Sequence, residues 1–393
     1  ATALDDVRRQ ARTRAAIPLC WKRRAADPPA SECQMRVDQF VFRHAVYGPT
    51  VWLRGEPLSR CLADLEKSQW ASPESLVRIQ EDKLNRLVDL AVQTVPYYRE
   101  RIDRSSLPKR LTVADMHRLP VLSKEDLREH RARLRAPGFK RVTVKTTGGS
   151  TGQATTVLKS RMATAYELAA MWRGWGWAGV TIGDRQARFW GVPATAQARW
   201  RSRLIDFVSH RKRFTAFGMD DASMERITTT LNRFQPDFAY GYVSVLHHYA
   251  SFLEKRANRR FRPKAVIATS EILTSAHRLA LQRGFGCPVF EEYGCGELGN
   301  IAHECECGGL HLSAENMIVE VLDGEAPAAP GRAGELLVTE LNNHAMPLLR
   351  YRLKDFGVLA AAPCKCGRAL PTLSSVVGRA YDLVYNREGK LFH

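Results

Sequence analysis

Thr146-Thr147-Gly148-Gly149-Ser150-Thr151-Gly152-Gln153 puts three glycines and four hydroxyl side chains into one short loop, directly after the β-prone run Val142-Thr143-Val144-Lys145. Glycines let consecutive N–H groups turn inward and the hydroxyls add donors, so such a loop can cradle a polyphosphate. It is not a Walker A loop, because the G-x-x-x-x-G-K-[ST] spacing is missing. A second chemical signal lies downstream in two C-x-C pairs, Cys305-Glu306-Cys307 and Cys364-Lys365-Cys366, with His311 shortly after the first. Thiolates and imidazole are zinc ligands, and four of them make a closed structural site.

The elements that must carry these groups are marked by caps and periodicity. Ser72-Pro73-Glu74 is a helix start, with Ser72 as N-cap, Pro73 at the first helical position and Glu74 at the positive dipole end. Apolar residues then recur at helical intervals up to Pro96, and a second helix opens after Ser123. From Val142 onward, β-branched runs at 264–268, 288–290 and 335–339 alternate with helical stretches at 244–255 and 275–283. This alternation predicts an α/β fold with a largely parallel sheet flanked by helices. The segment 324–334, with Pro327 and Pro330, reads as a surface loop.

The chain has 393 residues and 45% hydrophobic content, enough for a sizeable core. It has no apolar run long enough to span a bilayer and no apolar segment typical of a secretory leader, which predicts a cytoplasmic protein. Its net charge of +18 is spread over many segments. The charge reads first as a solvated basic surface; without a helix-turn-helix, RNP box or finger spacing, its functional alternatives are anionic substrates or an acidic partner such as a carrier protein rather than nucleic acid. Cys20, Cys33, Cys61, Cys287 and Cys295 are scattered as isolated thiols, which argues against a disulfide framework.

Four separated segments resemble the core motifs of AMP-forming adenylating enzymes, most closely the phenylacetate-CoA ligase and coenzyme F390 synthetase branch. They are the loop at 146–153, Tyr293-Gly294-Cys295-Gly296-Glu297, Tyr351-Arg352-Leu353-Lys354-Asp355 and Gly378-Arg379-Ala380-Tyr381-Asp382. Flanking phrases at Val95-Pro96-Tyr97-Tyr98-Arg99 and Leu119-Pro120-Val121-Leu122-Ser123-Lys124 extend the resemblance, which runs from about residue 80 to 385.

The resemblance implies ATP, Mg²⁺ and an organic acid as ligands, with CoA as a possible co-substrate. In it, Thr146, Thr147, Gly148, Gly149, Ser150, Thr151 and Gly152 serve the phosphates, and Glu297 holds Mg²⁺ as a hard oxygen ligand. Asp355 accepts the ribose hydroxyls and Arg379 contacts the same side, while Tyr293, Gly294, Ser270 and Glu271 border the adenine. Thr147, Glu297 and Arg379 are thereby the catalytic candidates. Trp177, Tyr242, Ser244, Cys295 and Gly296 fall where related enzymes line the acid, and aromatic walls favour an aromatic or hydrophobic one. Cys295 tunes that pocket and is no nucleophile, since no His follows at motif spacing.

For the cysteine pairs, placements in some relatives favour Cys305, His311, Cys364 and Cys366 as a structural zinc quartet. Cys305, Cys307, Cys364 and Cys366 remain the competing set, with His303 a further ligand candidate. The implied organisation is a helical N-terminal segment at 1–85, a large adenylate-forming domain at 86–380, and a hinge at 381–393 that begins a C-terminal lid. That lid is removed, supplied by another chain, or absent from a reduced ligase; Lys390 is too near the end to stand for its catalytic lysine. The implied reaction is acyl-adenylate formation followed by transfer to CoA or an amine. The alternatives are adenylyl transfer to a hydroxyl, as in F390 synthetases, and a nucleotide-binding scaffold without turnover.

Overall fold

The computed structural model describes residues 36–147, 155–191, 195–216, 218–256, 258–379, 384–385 and 391–392. A helical segment comes first, with a π turn at Phe42–Tyr47 between helices Val37–Val41 and Gly48–Leu53. It is followed by α1 (Leu58–Ser68) and the long α2 (Pro73–Thr94). Ser72 caps α2 by accepting from the Ser75 N–H at 3.3 Å, and Pro96 stands two residues beyond its end. α2 runs unbroken through residues 85 and 86, and its Leu84, Leu87, Val88 and Ala91 are sealed in the largest apolar cluster. The short α3 (Lys124–Glu129) begins at Ser123, whose hydroxyl and the Asp126 carboxylate form a reciprocal capping box.

Strands β1 (Val142–Thr147) and β2 (Thr155–Ser160) form an antiparallel hairpin of their own, and α4 (Arg161–Trp177) follows it directly. Val384–Tyr385 and Leu391–Phe392 pair as a separate two-stranded antiparallel sheet, and the remaining strands build one twelve-stranded sheet. In chain order they are β3 (Gln186–Trp190), β4 (Arg211–Thr215), β5 (Phe238–Tyr242), β6 (Ala265–Thr269), β7 (Val289–Cys295), β8 (Gly299–Glu304), β9 (Leu310–Leu312), β10 (Met317–Asp323), β11 (Ala326–Pro327), β12 (Ala333–Glu340), β13 (Tyr351–Leu359) and β14 (Thr372–Arg379). Their spatial order is β11-β10-β12-β13-β14-β9-β8-β7-β6-β5-β3-β4.

Only β4-β3-β5-β6-β7 pair in parallel, through helical crossovers; from β7 to β11 each neighbour is antiparallel. The expectation of a largely parallel sheet therefore holds for one half. The turn from β7 to β8 is too short for a crossover and reverses the chain, and the hairpins beyond it keep the antiparallel sense. Helices Val243–Glu254 and Ser275–Phe285 seal one face of the parallel half, around Phe189, Tyr249 and Phe285. The other face meets the end of α4 through Trp175.

The hairpin is fastened to the sheet by a charge pair without exposed side-chain surface. Lys159 at the end of β2 places its Nζ 2.6 Å from Glu340 Oε1 on β12 and 3.3 Å from the Leu298 carbonyl oxygen. An isolated buried ammonium is costly, and this pairing with two acceptors offsets the cost while fixing β2 against the β7–β8 turn.

Candidate active site

The turn leaving β7 brings Glu297 beneath the end of β1. Its Oε1 lies 3.0 Å from Lys124 Nζ at the start of α3, accepts from Thr147 Oγ1 at 3.3 Å, and meets Tyr351 Oη at 3.5 Å. Burial pushes the Glu297 carboxyl up, but the hydrogen bond and charge of Lys124 outweigh it and leave the group below its ordinary value. All three contacts fall on Oε1, so Oε2 is the oxygen these neighbours do not use. Gly296 permits this approach, because a Cβ there would overlap the Thr147 Cγ2 atom. The ionised carboxylate and the hydroxyl oxygens beside it are hard donors that would suit a Mg²⁺ ion.

A second pair joins distant segments. Tyr293 on β7 donates from its hydroxyl to Asp355 Oδ2 on β13 at 2.8 Å, and Asp355 stands opposite Arg379 in the β13–β14 ladder. Of Arg379 the structure describes the backbone alone. Gly294 pairs with Asn300 across the β7–β8 ladder. Cys295 is half-buried, and burial pushes its thiol up to about 12, so it stays protonated and unsuited to nucleophilic work.

The sequence candidates around the adenine and the acid separate into groups. Ser270 sits in the left-handed region at φ 70° directly after β6, and the exposed Glu271 accepts from the backbone N–H and the hydroxyl of Ser244 at 2.6 and 2.9 Å. Glu271 thus caps the helix that starts at Val243 and ties two parallel-strand ends together. Tyr242, just before that helix, stacks on Trp190 with ring centroids 4.2 Å apart. Trp177 goes elsewhere: its Nε1 donates to Gln69 at 2.9 Å and its ring meets His311 edge-on at 5.4 Å. Thr146 points along the hairpin toward Thr156 at 3.3 Å. Gly148, Gly149, Ser150, Thr151 and Gly152 lie outside the described residues, as do Tyr381, Asp382, Lys390, Cys20 and Cys33.

Lys124 and Tyr351 were visible in the sequence only as parts of resembling phrases. Their convergence on Glu297 is a tertiary contact that no local spacing announces.

The cysteine pairs close into one cluster. One ligand atom each from Cys305, His311, Cys364 and Cys366 lies within 4.8 Å of all the others. The Cys305 and Cys364 sulfurs are 3.6 Å apart, too far for a disulfide, and Cys366 Sγ is 3.2 Å from His311 Nε2. His311 Nδ1 donates to the Leu370 carbonyl at 3.0 Å, which turns Nε2 toward the sulfurs. A hydrogen bond from the Cys305 thiol holds Cys364 well below the usual thiol range, while Cys305 is raised. Gly309 leaves the space these atoms need, since a Cβ there would stand 2.6 Å from Cys364 Sγ. Of the competing candidates, Cys307 is exposed outside this group and His303 faces Glu292 at 3.1 Å. The donor set and its hydrogen-bonded histidine fit a closed zinc site.

No family model matches the chain. Among curated proteins it is similar to Protein CapK of Staphylococcus aureus, with 24% identity over 321 residues, 80% of this chain and 70% of CapK. It is also similar to phenylacetate-coenzyme A ligases: 27% identity to that of Thermus thermophilus over 80% of this chain and 72% of the relative, and 24% to that of Escherichia coli over 84% and 76%. Among solved structures, 2-hydroxyisobutyryl-CoA ligase in the postadenylation state with 2-HIB-AMP superposes with a TM-score of 0.66 at 18% identity, over 82% of this chain and 71% of that one. An open conformation of that ligase, with 2-HIB-AMP and CoA, gives 0.63 at 19% identity over 79% and 76%. The chain thus carries these motifs in order, is similar to phenylacetate-coenzyme A ligases, and shares the fold of adenylate-forming CoA ligases.

Proposed function

We propose that the protein activates an organic carboxylic acid with ATP as an acyl-adenylate and passes the acyl group to the thiol of CoA. The observation that carries this reading is the convergence on Glu297: a carboxylate held ionised by Lys124 and bonded to Thr147 at the end of β1, on the turn that follows the strand carrying Tyr293 of the Tyr293–Asp355 pair. Adenylation requires in-line attack of the acid on the α-phosphate and departure of pyrophosphate, so positioning and charge compensation dominate. In this reading Mg²⁺ supplies Lewis-acid neutralisation of the leaving phosphates. Glu297 is the protein carboxylate that would hold it, and Thr147 orients that carboxylate. Lys124 adds fixed positive charge beside the phosphates. Asp355 accepts from the ribose, with Tyr293 holding its Oδ2 in place.

Zinc at Cys305, His311, Cys364 and Cys366 is proposed as structural. It would join the segment after β8 to the loop between β13 and β14, bracing the strands that carry Glu297 and Asp355, without touching the reaction. The kinship to CoA ligases, and an aromatic surface at Trp190 and Tyr242, support CoA as acceptor and a flat or hydrophobic acid.

Pyrophosphate exchange into ATP, measured over a panel of aryl and alkyl acids, tests the reading. Acid-dependent exchange, followed by thioester formation with CoA, is the expected result. ATP binding without exchange overturns it in favour of a nucleotide-binding scaffold.

A further inference from the structure

Arg188 on β3 carries a guanidinium against two aromatic faces, 4.6 Å from the Trp190 ring centroid and 4.7 Å from that of Tyr240. Trp190 also stacks on Tyr242, so β3 and β5 present a continuous aromatic floor with a cation set into it. Across the parallel ladder Arg188 stands opposite Arg213, with Arg211 two residues earlier on the same strand. The carboxylates nearby are already engaged. Asp206 serves Arg211 at 2.5 Å and Arg213 at 2.9 Å, while Glu292 accepts from Trp175, Tyr240 and His303. Among the described residues Arg188 has no ion-pair partner, and its buried Nε makes no hydrogen bond.

A half-buried guanidinium without an anion is an uncompensated charge. Burial indeed lowers the pKa of Arg188, against the weaker pull of Tyr240. Stacking on Trp190 and Tyr240 repays part of the cost and fixes the planar fork, leaving its N–H groups for bidentate recognition of a carboxylate.

We propose that Arg188 selects acids bearing a second carboxylate at the end remote from the reacting one. This deepens the ligase reading and rests on it, since it takes the Trp190–Tyr242 floor as the acyl side of the site. β3 lies three strand spacings from β7, roughly 14 Å, and the ladder registers set Arg188 level with Tyr240, Ile267 and Phe290, roughly 16 Å along the strand before Cys295. With the guanidinium leaning back over β5, a distal anion on Arg188 therefore stands on the order of 15 Å from a carboxylate reacting beside the β7 turn. A long aryl diacid, or a linear diacid of comparable reach, spans that gap, and its flat or methylene body lies on the aromatic floor.

The test pairs acids that differ only in the distal group: 4-biphenylacetate with 4′-carboxy-4-biphenylacetate, and decanoate with sebacate. Binding to the ATP-loaded full chain is followed by titration, and acid-dependent pyrophosphate exchange is followed in parallel. The expected result is at least a tenfold preference for each diacid, carried by KM. Arg188→Met should abolish that preference, and Arg188→Lys should retain part of it. A wild-type preference for the monoacids, or an equal loss on both members of each pair in Arg188→Met, overturns the role of Arg188 and leaves the ligase reading standing. Absence of binding and exchange with every acid overturns both.

Discussion

The Tyr293 hydroxyl donates to Asp355 Oδ2 at 2.8 Å, although the two residues come from β7 and β13 and are 62 positions apart in the chain. The bond holds the Asp355 carboxylate in a single orientation. Asp355→Ala should weaken ATP binding by about 10- to 100-fold, the loss expected for one or two hydrogen bonds to a charged group at about 1.5–3 kcal/mol in all. Tyr293→Phe should cost less, because Asp355 remains. Calorimetric titration with ATP checks both, and unchanged affinity in Asp355→Ala would remove it from the ribose role.

Glu297 should be indispensable to turnover and much less so to folding. Glu297→Gln keeps the hydrogen bond to Thr147 but loses the charge, and exchange should fall by roughly 10²–10³, the scale for removing a preorganised electrostatic group. Raising Mg²⁺ should not restore it. A variant as active as the parent would dissociate Glu297 from the metal.

Lys124 gives the site an acid sensitivity whose sign follows from the lowered Glu297 value. A carboxyl whose folded-state pKa lies below its unfolded one stabilises the protein above the unfolded value, about 4.3, and that contribution disappears as pH falls through the folded value. Lys124→Met should therefore cost about 1–2 kcal/mol near neutrality, and the difference from the parent should vanish in acid. Urea unfolding at several pH values reads this directly; a gap that persists below pH 3 contradicts it.

The Cys305, His311, Cys364 and Cys366 cluster predicts about one zinc per chain. Cys364→Ser should lower metal content and melting temperature together, whereas Cys307→Ser should leave both unchanged. Metal analysis and thermal melting of the two variants distinguish this quartet from the one containing Cys307.

Replacing Lys159 by Met leaves Glu340 buried without its cation, a change expected to destabilise by about 3–5 kcal/mol. Burial raises the Glu340 carboxyl despite Lys159, so uptake of a proton should recover part of that loss. Lys159→Met combined with Glu340→Leu should be markedly more stable than Lys159→Met alone. Denaturant midpoints settle the comparison.

Local chemistry made much of this architecture legible. The caps at Ser72 and Ser123 and the β-branched runs at β6, β7 and β12 follow from residue type and period alone. The antiparallel half was not legible, because strand sense depends on the length of the β7–β8 connection rather than on the strands. Nor could spacing choose between Cys307 and His311: the turn after Cys305 carries Cys307 outward, while β9 carries His311 in. The aromatic cluster of α4 misled by proximity in sequence. Helical rotation sends Trp175 to the parallel strands and Trp177 to the cysteine cluster. Nothing local marks Arg188, because the carboxylates near it are engaged by residues that only the folded sheet brings together.

The β1–β2 hairpin belongs to no other sheet; side-chain anchors such as Lys159–Glu340 and Lys145–Glu167 secure it where a main-chain ladder would otherwise do so. Its own ladder can therefore open without unzipping any strand of the twelve. Its amides should exchange with solvent deuterium ahead of those in β7, and nucleotide should slow that exchange while leaving the twelve-stranded sheet as protected as before.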